Sequence, residues 1–449
     1  MNDDKDKDKS IVAADPAKGF FVSMLIKDIT LRDAIGDLVD NAVDAIKKRV
    51  ESDDLTGYEI DVKLGKTYFS ISDNGYGMEA EIARTTAFNF GKSDKHELIS
   101  NSIGQFGIGM KRAFFKLGNI IDVKSISPTS KFEIEIDVKE WLRDKNFWQY
   151  QFKDGTLKEK IKNPPSKTGF YVKITELSND SVLSFGDKNF INQLINEIQY
   201  EHLLNINKGL TIKINDFKLN PTSIDLVFDD NIKPTYWEKI GNEEKVRVIA
   251  GISTKDDEDG GWYIFCNDRL IIAKNKTDET VWTGSKGDGV SLWHSQYHRF
   301  RGYVFFEAKD SSKLPWNTTK TGMDLDSPYY KEVRQQMVAM TKQVMGLMDK
   351  LKSEKEQDNP EENQKLNKAV EESLIKPLSV LQALEKSQTL SNKFVYPERL
   401  FNPVKKKDNT KISYQVPTEK FNKVKEYIKK SSPKDIGLFT FDYYYENEV

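Results

Sequence analysis

A short stretch near the amino terminus carries polar side chains at a helical spacing. In DLVDNAVDAI, Asp37, Asn41 and Asp44 fall on one side of a helix, because at roughly 100° per residue Asn41 lies about 40° and Asp44 about 20° from Asp37. The opposite side is apolar and carries Ile35, Val39, Ala42 and Ile46. Two carboxylates and an amide on one face indicate either a site or the hydrated side of an amphipathic helix.

A second candidate is the segment SDNGYGM, which ends at Met78. Asp73 precedes two glycines, Gly75 and Gly77. A carboxylate accepts hydrogen bonds from an exocyclic amine, and glycines let a flat base approach the backbone. Since Asn74 and Gly75 also form a common turn pair, a tight hairpin turn is the alternative.

The third candidate is glycine-rich and runs SIGQFGIGMK, from Ser102 to Lys111. Its glycines stand directly before a helical pattern, where backbone N–H groups are exposed to a phosphate. A flexible loop with a helix cap is the alternative. The segment lacks the GK[ST] ending of a Walker A loop and does not match a Rossmann fingerprint.

Taken in order, the three segments resemble the signature of the GHKL ATPase superfamily, which includes gyrase B, the ninety-kilodalton heat-shock chaperone, histidine kinases and MutL. The stretch FNFGKSDK, Phe88 to Lys95, followed by IGQFGIGMK, resembles MORC-type ATPases and their bacterial relatives. The resemblance implies an α+β chain with a Bergerat-type α/β sandwich that binds ATP and Mg²⁺ and hydrolyses the nucleotide.

The resemblance also implies a role for each polar position. Asp37 stands where the family usually has a glutamate that orients and activates the attacking water, and Asn41 would hold Mg²⁺ through its side-chain oxygen. Asp73 would bind the adenine amine. The other implied nucleotide contacts, which include two lid residues (93 and 95) and the glycines around the phosphates, are Asp44, Gly75, Gly77, Met78, Ser93, Lys95, Gly104, Gln105, Phe106, Gly107, Ile108, Gly109 and Lys111.

Two positions depart from the family pattern. Asp37 is one methylene shorter than glutamate, so slow hydrolysis is expected, because loss of a base typically costs on the order of a hundredfold. Phe170 stands where many relatives carry Gly-Thr, although Thr168 is close by.

A second block, starting near residue 206, resembles the transducer domain that gyrase B, MutL and MORC relatives place after the ATP domain. There the transducer supplies a lysine to the γ-phosphate, and Lys320 in KLPWNTTKTGMD stands in the expected place. A cation would neutralise charge on the phosphoryl oxygens; the alternative is an ordinary surface lysine. Asn267 and Arg269 in CNDRLII resemble a structural strand of the MutL transducer.

Composition limits the remaining possibilities. A chain of 449 residues indicates two to three domains, and its single cysteine, Cys266, excludes an intrachain disulfide and favours a reducing, cytoplasmic setting. No apolar run is long enough for a membrane helix, and the net charge of −2 gives no overall attraction to nucleic acid. The predicted organisation is a disordered tail (1–10), the ATP-binding domain (11–205), a ribosomal-protein-like transducer (206–327) and a mostly helical region (328–449) with a charged linker near 353–368.

Within the last region we expect AVEESLIKPLSVLQALEKSQ to form a helix and the end of the chain to form a helix followed by an aromatic strand. By resemblance, the protein is expected to dimerise on ATP binding and to act as a clamp or switch in DNA transactions or in defence against foreign DNA, with DNA or a partner protein. A protein kinase, a chaperone and a nucleotide-binding module without turnover remain alternatives.

Overall fold

The computed structural model describes residues 17–50, 52–90, 102–104, 107–144, 147–254, 258–284, 289–317, 319–356, 364–374, 377–401, 412–429 and 432–448. The chain divides into two compact units, Met1–Asn402 and Pro403–Val449. The predicted disordered tail lies outside the described residues.

The first unit begins with a seven-stranded mixed sheet. Strands order as β4-β3-β5-β2-β1-β6-β7, and the neighbours are antiparallel except for β1 and β6. Alternating apolar residues turn one face of β1 inward, as the sequence pattern predicts. The bounds are β1 Glu59–Leu64, β2 Tyr68–Asp73, β3 Gly118–Ile126, β4 Lys131–Asp137, β5 Gly169–Leu177, β6 Thr211–Ile214 and β7 Phe217–Lys218.

Helices accompany this sheet, and the central one is the polar helix noted above. It begins after Thr30, whose side chain accepts a hydrogen bond from the Asp33 amide while the Asp33 side chain accepts one from Thr30, so Thr30 is the N-cap of this helix. Its apolar residues pack on β2 and on the helix that follows the glycine-rich segment. The bounds are α1 Lys18–Lys27, α2 Leu31–Arg49, α3 Ala80–Ile82 continuing as a π-helical turn Ala83–Ala87, α4 Gly109–Leu117, α5 Val138–Arg143, α6 Asn179–Phe185, α7 Lys188–Glu201 and α8 Leu203–Asn207.

A second, five-stranded sheet orders as β12-β11-β13-β10-β9 and is antiparallel except between β11 and β13. Its centre is aromatic, with Trp262, Tyr303 and Phe306 almost fully buried. A long helix, α9, packs across β10 and β13. The bounds are β8 Asp225–Leu226, β9 Thr235–Ile240, β10 Glu244–Ile252, β11 Gly261–Cys266, β12 Arg269–Asn275, β13 Phe300–Ala308, α9 Pro328–Lys355, α10 Lys365–Ser373, β14 Leu378–Ser379 and α11 Val380–Glu385.

The helix predicted over AVEESLIKPLSVLQALEKSQ is not continuous. It is divided into α10 and α11, and between them β14 pairs with β8 through Leu378 and Leu226. Pro377 explains the interruption, because proline has no amide to donate within a helix and its ring clashes with the preceding turn.

The second unit contains the helices α12 Thr418–Ile428 and α13 Pro433–Glu448. The predicted aromatic strand is therefore wrong, since IGLFTFDYYYENEV lies in α13 up to its penultimate residue. Its aromatic residues favour a strand locally, but the described part of this unit offers no second strand, and a helix satisfies its own backbone hydrogen bonds. Of the helices described in the two units, none has the length and apolar content to cross a membrane.

Candidate functional site

A cavity of about 250 Å³ opens between α2, the end of β2 and the start of α4. Its walls bring together residues from all three candidate segments and from a loop that follows β13. The described lining residues that the sequence singled out are Asp37, Asn41, Asp44, Asp73, Gly77, Met78, Gly104, Gly107, Ile108, Gly109, Lys111 and Lys320. The four remaining ones in the lid and the glycine-rich segment, Ser93, Lys95, Gln105 and Phe106, lie outside the described residues.

The polar side of α2 forms the floor of the cavity. Asn41 lines it, and within the described chain its side-chain amide makes no hydrogen bond, so both its oxygen and its nitrogen are available. Asp44 instead accepts hydrogen bonds from the amides of Ile103 and Gly104, at 2.8 and 2.9 Å. Burial raises the pKa of Asp44 to about 6, although the two hydrogen bonds from these amides oppose the shift. Asp44 therefore holds the start of the glycine-rich segment against the floor.

One end of the cavity is built around Asp73. Its carboxylate accepts a 2.8 Å hydrogen bond from the amide of Gly75. Burial raises the pKa of Asp73 to about 7, although the amides of Gly75 and Phe170 oppose the shift. Phe170 is its register partner on β5 and also lines the cavity. Thr168 donates a 2.5 Å hydrogen bond to the Gly75 carbonyl oxygen and so secures the turn.

The two glycines after Asp73 are required by close approaches. Gly77 has φ +76°, and a Cβ there would lie 2.2 Å from the Ile126 carbonyl oxygen. Gly75 lies behind the wall, where a Cβ would come within 2.8 Å of the Ala45 carbonyl carbon in α2. Larger residues at either position would displace the Asp73 turn.

The opposite end of the cavity is formed by the start of α4. A Cβ on Gly109 would lie 3.2 Å from the carboxyl carbon of Asp37, so this helix begins directly against the floor. Lys111 donates to the carbonyl oxygens of Ala87, at 2.9 Å, and of Gly107. Burial lowers the pKa of Lys111 to about 8.

Lys320 reaches the cavity from the second sheet, in the loop between β13 and α9. Its ammonium lies 2.6 Å from Asp40 Oδ2 and 3.5 Å from Asp37 Oδ1, and only 6% of the residue is exposed. Its backbone adopts φ +59°, a left-handed conformation that costs a non-glycine residue on the order of 1 kcal/mol. The surrounding structure holds a strained residue in place to present this cation.

The sequence interpretation missed two charged residues of the site, Arg112 and Asp40, and gave a third, Arg269, only a structural role. Arg112 Nε donates to Asp37 Oδ2 at 2.6 Å, and Arg269 Nε donates to Asp40 Oδ1 at 2.9 Å. Burial opposes ionisation of Asp40, but Arg269 and Lys320 outweigh it and hold the pKa of this carboxyl well below its usual range. Helical spacing contained a signal for Asp40, which lies about 60° from Asp37 on the polar side of α2.

The turn between β11 and β12 joins the second sheet to the glycine-rich segment. Asn267 donates a 2.8 Å hydrogen bond to the carbonyl oxygen of Ser102, and Asp268 forms a 2.9 Å ion pair with Lys47 near the end of α2. Ser311, just after β13, donates to the Gly104 carbonyl oxygen at 3.3 Å. The second sheet thus contributes to the site through hydrogen bonds to its loop as well as through Lys320.

Comparison with known proteins agrees with this geometry. Residues 29–168 match a family described as histidine kinase-, DNA gyrase B-, and HSP90-like ATPase. The chain is also 25% identical over 274 residues to the DNA mismatch repair protein MutL of Aquifex pyrophilus; the match covers 57% of this chain and 59% of that protein, which is less than two thirds of its length. The matched family segment contains the floor, the Asp73 turn and the glycine-rich segment. An ATPase domain of the histidine kinase, DNA gyrase B and HSP90 type therefore occupies residues 29–168 of this chain.

Proposed function

We propose that this protein binds ATP with Mg²⁺ in the cavity over α2, hydrolyses it slowly and uses the cycle as a switch. The observation that carries the proposal is the position of Lys320, a buried cation from a distant loop that contacts Asp37 and Asp40 on the cavity floor. A lysine placed there suits the terminal phosphate of a nucleotide whose base lies at the Asp73 end.

The residues present fit a magnesium ion bound together with a nucleotide. The described residues contain no cluster of three or more His, Cys, Asp or Glu side chains that would hold a metal by themselves. Mg²⁺ in such sites takes one or two protein oxygens and completes its shell with phosphates and water. Asn41 offers a free amide oxygen on the floor. When bound, the ion would neutralise charge on the phosphate oxygens.

In this proposal Asp37 receives the proton of the attacking water. A bond forms between the water oxygen and the γ-phosphorus, while the bond from that phosphorus to the β,γ-bridging oxygen breaks and its electron pair leaves with ADP. Lys320 stabilises the charge on the transferring group. For this to happen, Lys320 must exchange part of its contact with Asp40 for a contact with phosphate. This exchange provides a physical link between nucleotide occupancy and the position of the second sheet.

The wider role rests on resemblance to relatives. The similarity to MutL and the MORC-like sequence between Phe88 and Lys111 support a nucleotide-driven clamp that forms a homodimer on ATP binding. They also support a setting in DNA transactions or defence against foreign DNA, with DNA or a partner protein as the second ligand. Because less than two thirds of that relative is matched, these steps are proposals for this chain.

The test is to measure nucleotide binding and phosphate release side by side in the wild type and in matched variants. Asp37→Ala is expected to bind ATP and to lose turnover, and Asn41→Ala to lose Mg-dependent binding. Lys320→Ala is expected to bind ADP normally and to lose turnover. Lys313→Ala is the control, because this lysine precedes the same loop but pairs at the surface with Glu243.

Each alternative predicts a different result. Binding without phosphate release in the wild type would support a nucleotide-binding module without turnover. One observation favours this alternative: both carboxylate oxygens of Asp37 have cationic neighbours, Arg112 and Lys320, which make Asp37 a weaker base. Labelled phosphate retained on a protein would indicate a kinase. Suppression of the aggregation of an unfolded client by ATP would indicate a chaperone. Equal turnover in the wild type and Asp37→Ala would refute the proposed role of Asp37.

A further inference from the structure

Arg112 is a charged residue of the cavity whose full hydrogen-bonding capacity is not used by the described residues. It lies on α4, one turn after Ile108, and its Nε donates to Asp37 Oδ2 at 2.6 Å. Within the described residues its two terminal nitrogens form no hydrogen bond, although the side chain is only 9% exposed and lines the cavity. A guanidinium has five N–H donors, so four remain available.

The nearby cations are used differently. Lys111 is bound to backbone carbonyl oxygens, and Lys320 is bound to Asp40. Arg269 reaches Asp40 and Glu201, and its Nη1 donates to the Lys320 carbonyl oxygen. Lys111, Lys320 and Arg269 thus have protein acceptors for their terminal nitrogens. The two terminal nitrogens of Arg112 have none among the described residues. An unused guanidinium fork beside the carboxylate of a base suits an anion with several oxygens.

We propose that Arg112 both positions Asp37 and binds the terminal phosphate of the nucleotide, an inference that rests on the proposed function. Its Nε holds Asp37 Oδ2, which leaves Oδ1 to accept the water proton once Lys320 has moved to the phosphate. Its terminal nitrogens bind γ-phosphate oxygens. One planar group therefore fixes the distance between the base and the phosphorus that is attacked.

This arrangement addresses the short side chain at position 37. An aspartate reaches about an ångström less far than a glutamate, so the orientation of its carboxylate decides whether a water can lie between it and the phosphorus. A base held by a third group is the common solution to that problem. Arginine holds the base better than lysine does, because a guanidinium can contact a carboxylate and a phosphate at the same time, whereas the lysine side chain has one nitrogen.

The experiment compares wild type, Arg112→Lys and Arg112→Ala, with Lys116→Ala as the control on the same helix. Lys116 bonds to the Ile26 carbonyl oxygen and is not part of the cavity. Three quantities are measured: phosphate release, the affinity for ADP and the affinity for a non-hydrolysable ATP analogue. Thermal unfolding shows that each variant is folded, and Arg112→Lys keeps the charge beside Asp37 if the alanine variant does not fold.

The expected result for Arg112→Lys is a loss of kcat of about a hundredfold. Its affinity for the ATP analogue should fall about tenfold while its affinity for ADP stays within about twofold of wild type, because a single charge-assisted phosphate contact is lost. Millimolar guanidinium chloride should restore part of the turnover of Arg112→Ala, and equimolar urea should not. Lys116→Ala should match wild type in all three quantities.

Several results would overturn the inference. Wild-type kcat in Arg112→Lys, or equal losses of ADP and ATP-analogue affinity in folded variants, would reduce Arg112 to a structural partner of Asp37. A wild type that binds ATP but releases no phosphate overturns the proposed hydrolysis instead, and the ratio of the two affinities then still decides whether Arg112 binds the terminal phosphate.

Discussion

The pKa of Asp73 predicts that ATP affinity depends on pH near neutrality. Burial raises this pKa to about 7, and the ionised carboxylate is the form that accepts a hydrogen bond from an adenine amine. The sign follows directly: acidification protonates Asp73 and weakens ATP binding, and binding below neutral pH releases a proton. Asp73→Asn should weaken ATP binding at pH 8 and remove most of the pH dependence.

The size of the effect follows from the pKa of about 7. About nine-tenths of the carboxyl groups are ionised at pH 8 and about one-tenth at pH 6, so affinity should fall by up to about tenfold between these values, or about 1.4 kcal/mol. Asp44, with a pKa raised to about 6, and Lys111, with a pKa lowered to about 8, titrate in the same range and also line the cavity.

Two nucleotides separate these contributions. ATP and purine riboside triphosphate differ in the exocyclic amine, so the phosphates, Asp44 and Lys111 affect both alike. Titration calorimetry from pH 6 to pH 8 should give the steeper dependence for ATP, and the difference should vanish in Asp73→Asn. Parallel pH profiles for the two nucleotides in the wild type would refute the assignment of Asp73 to the adenine amine.

Three further perturbations follow from buried groups. Asp40→Asn removes the carboxylate that pairs with the buried cations Arg269 and Lys320. It should lower the free energy of unfolding, measured by urea denaturation, by about 3 kcal/mol. Gly77→Ala forces a Cβ against the Ile126 carbonyl oxygen and should abolish ATP binding in calorimetry. At Gly346 on α9 a Cβ would meet nothing within 4 Å, so Gly346→Ala should instead raise the midpoint of thermal unfolding. Burial raises the pKa of the Cys266 thiol, so a thiol reagent should modify it only after unfolding.

Much of the fold follows from local patterns. The alternation in β1 to β5 and the cap at Thr30 are encoded within a few residues, so the paired strands and α2 were predictable. The polar side of α2 identified three of its floor residues for the same reason. The strands β9 and β10 of the five-stranded sheet were not predicted, because the charged residues at the end of β9 (TYWEKI) and the start of β10 (EKVRVIAGI) resemble a surface segment until their partner strand is known.

The site also depends on contacts between residues that are far apart in the sequence. Arg112 and Arg269 acquire their roles only when α4 and β12 meet α2, and a sequence shows neither approach. The end of the chain fails for the opposite reason: the aromatic residues of α13 have strong local strand preference, and the absence of a partner strand in the described part of the second unit decides in favour of a helix.

The pairing of Asp40 has a consequence for how the protein is made. Its two cationic partners, Arg269 and Lys320, lie 229 and 280 residues further along the chain. While the ribosome is still synthesising the second sheet, α2 carries a carboxylate that nothing yet neutralises, and burying it would cost several kcal/mol. The charges on the floor of the cavity can therefore be balanced only once the second sheet has been made. A chain released early should therefore lack the charge balance of this floor.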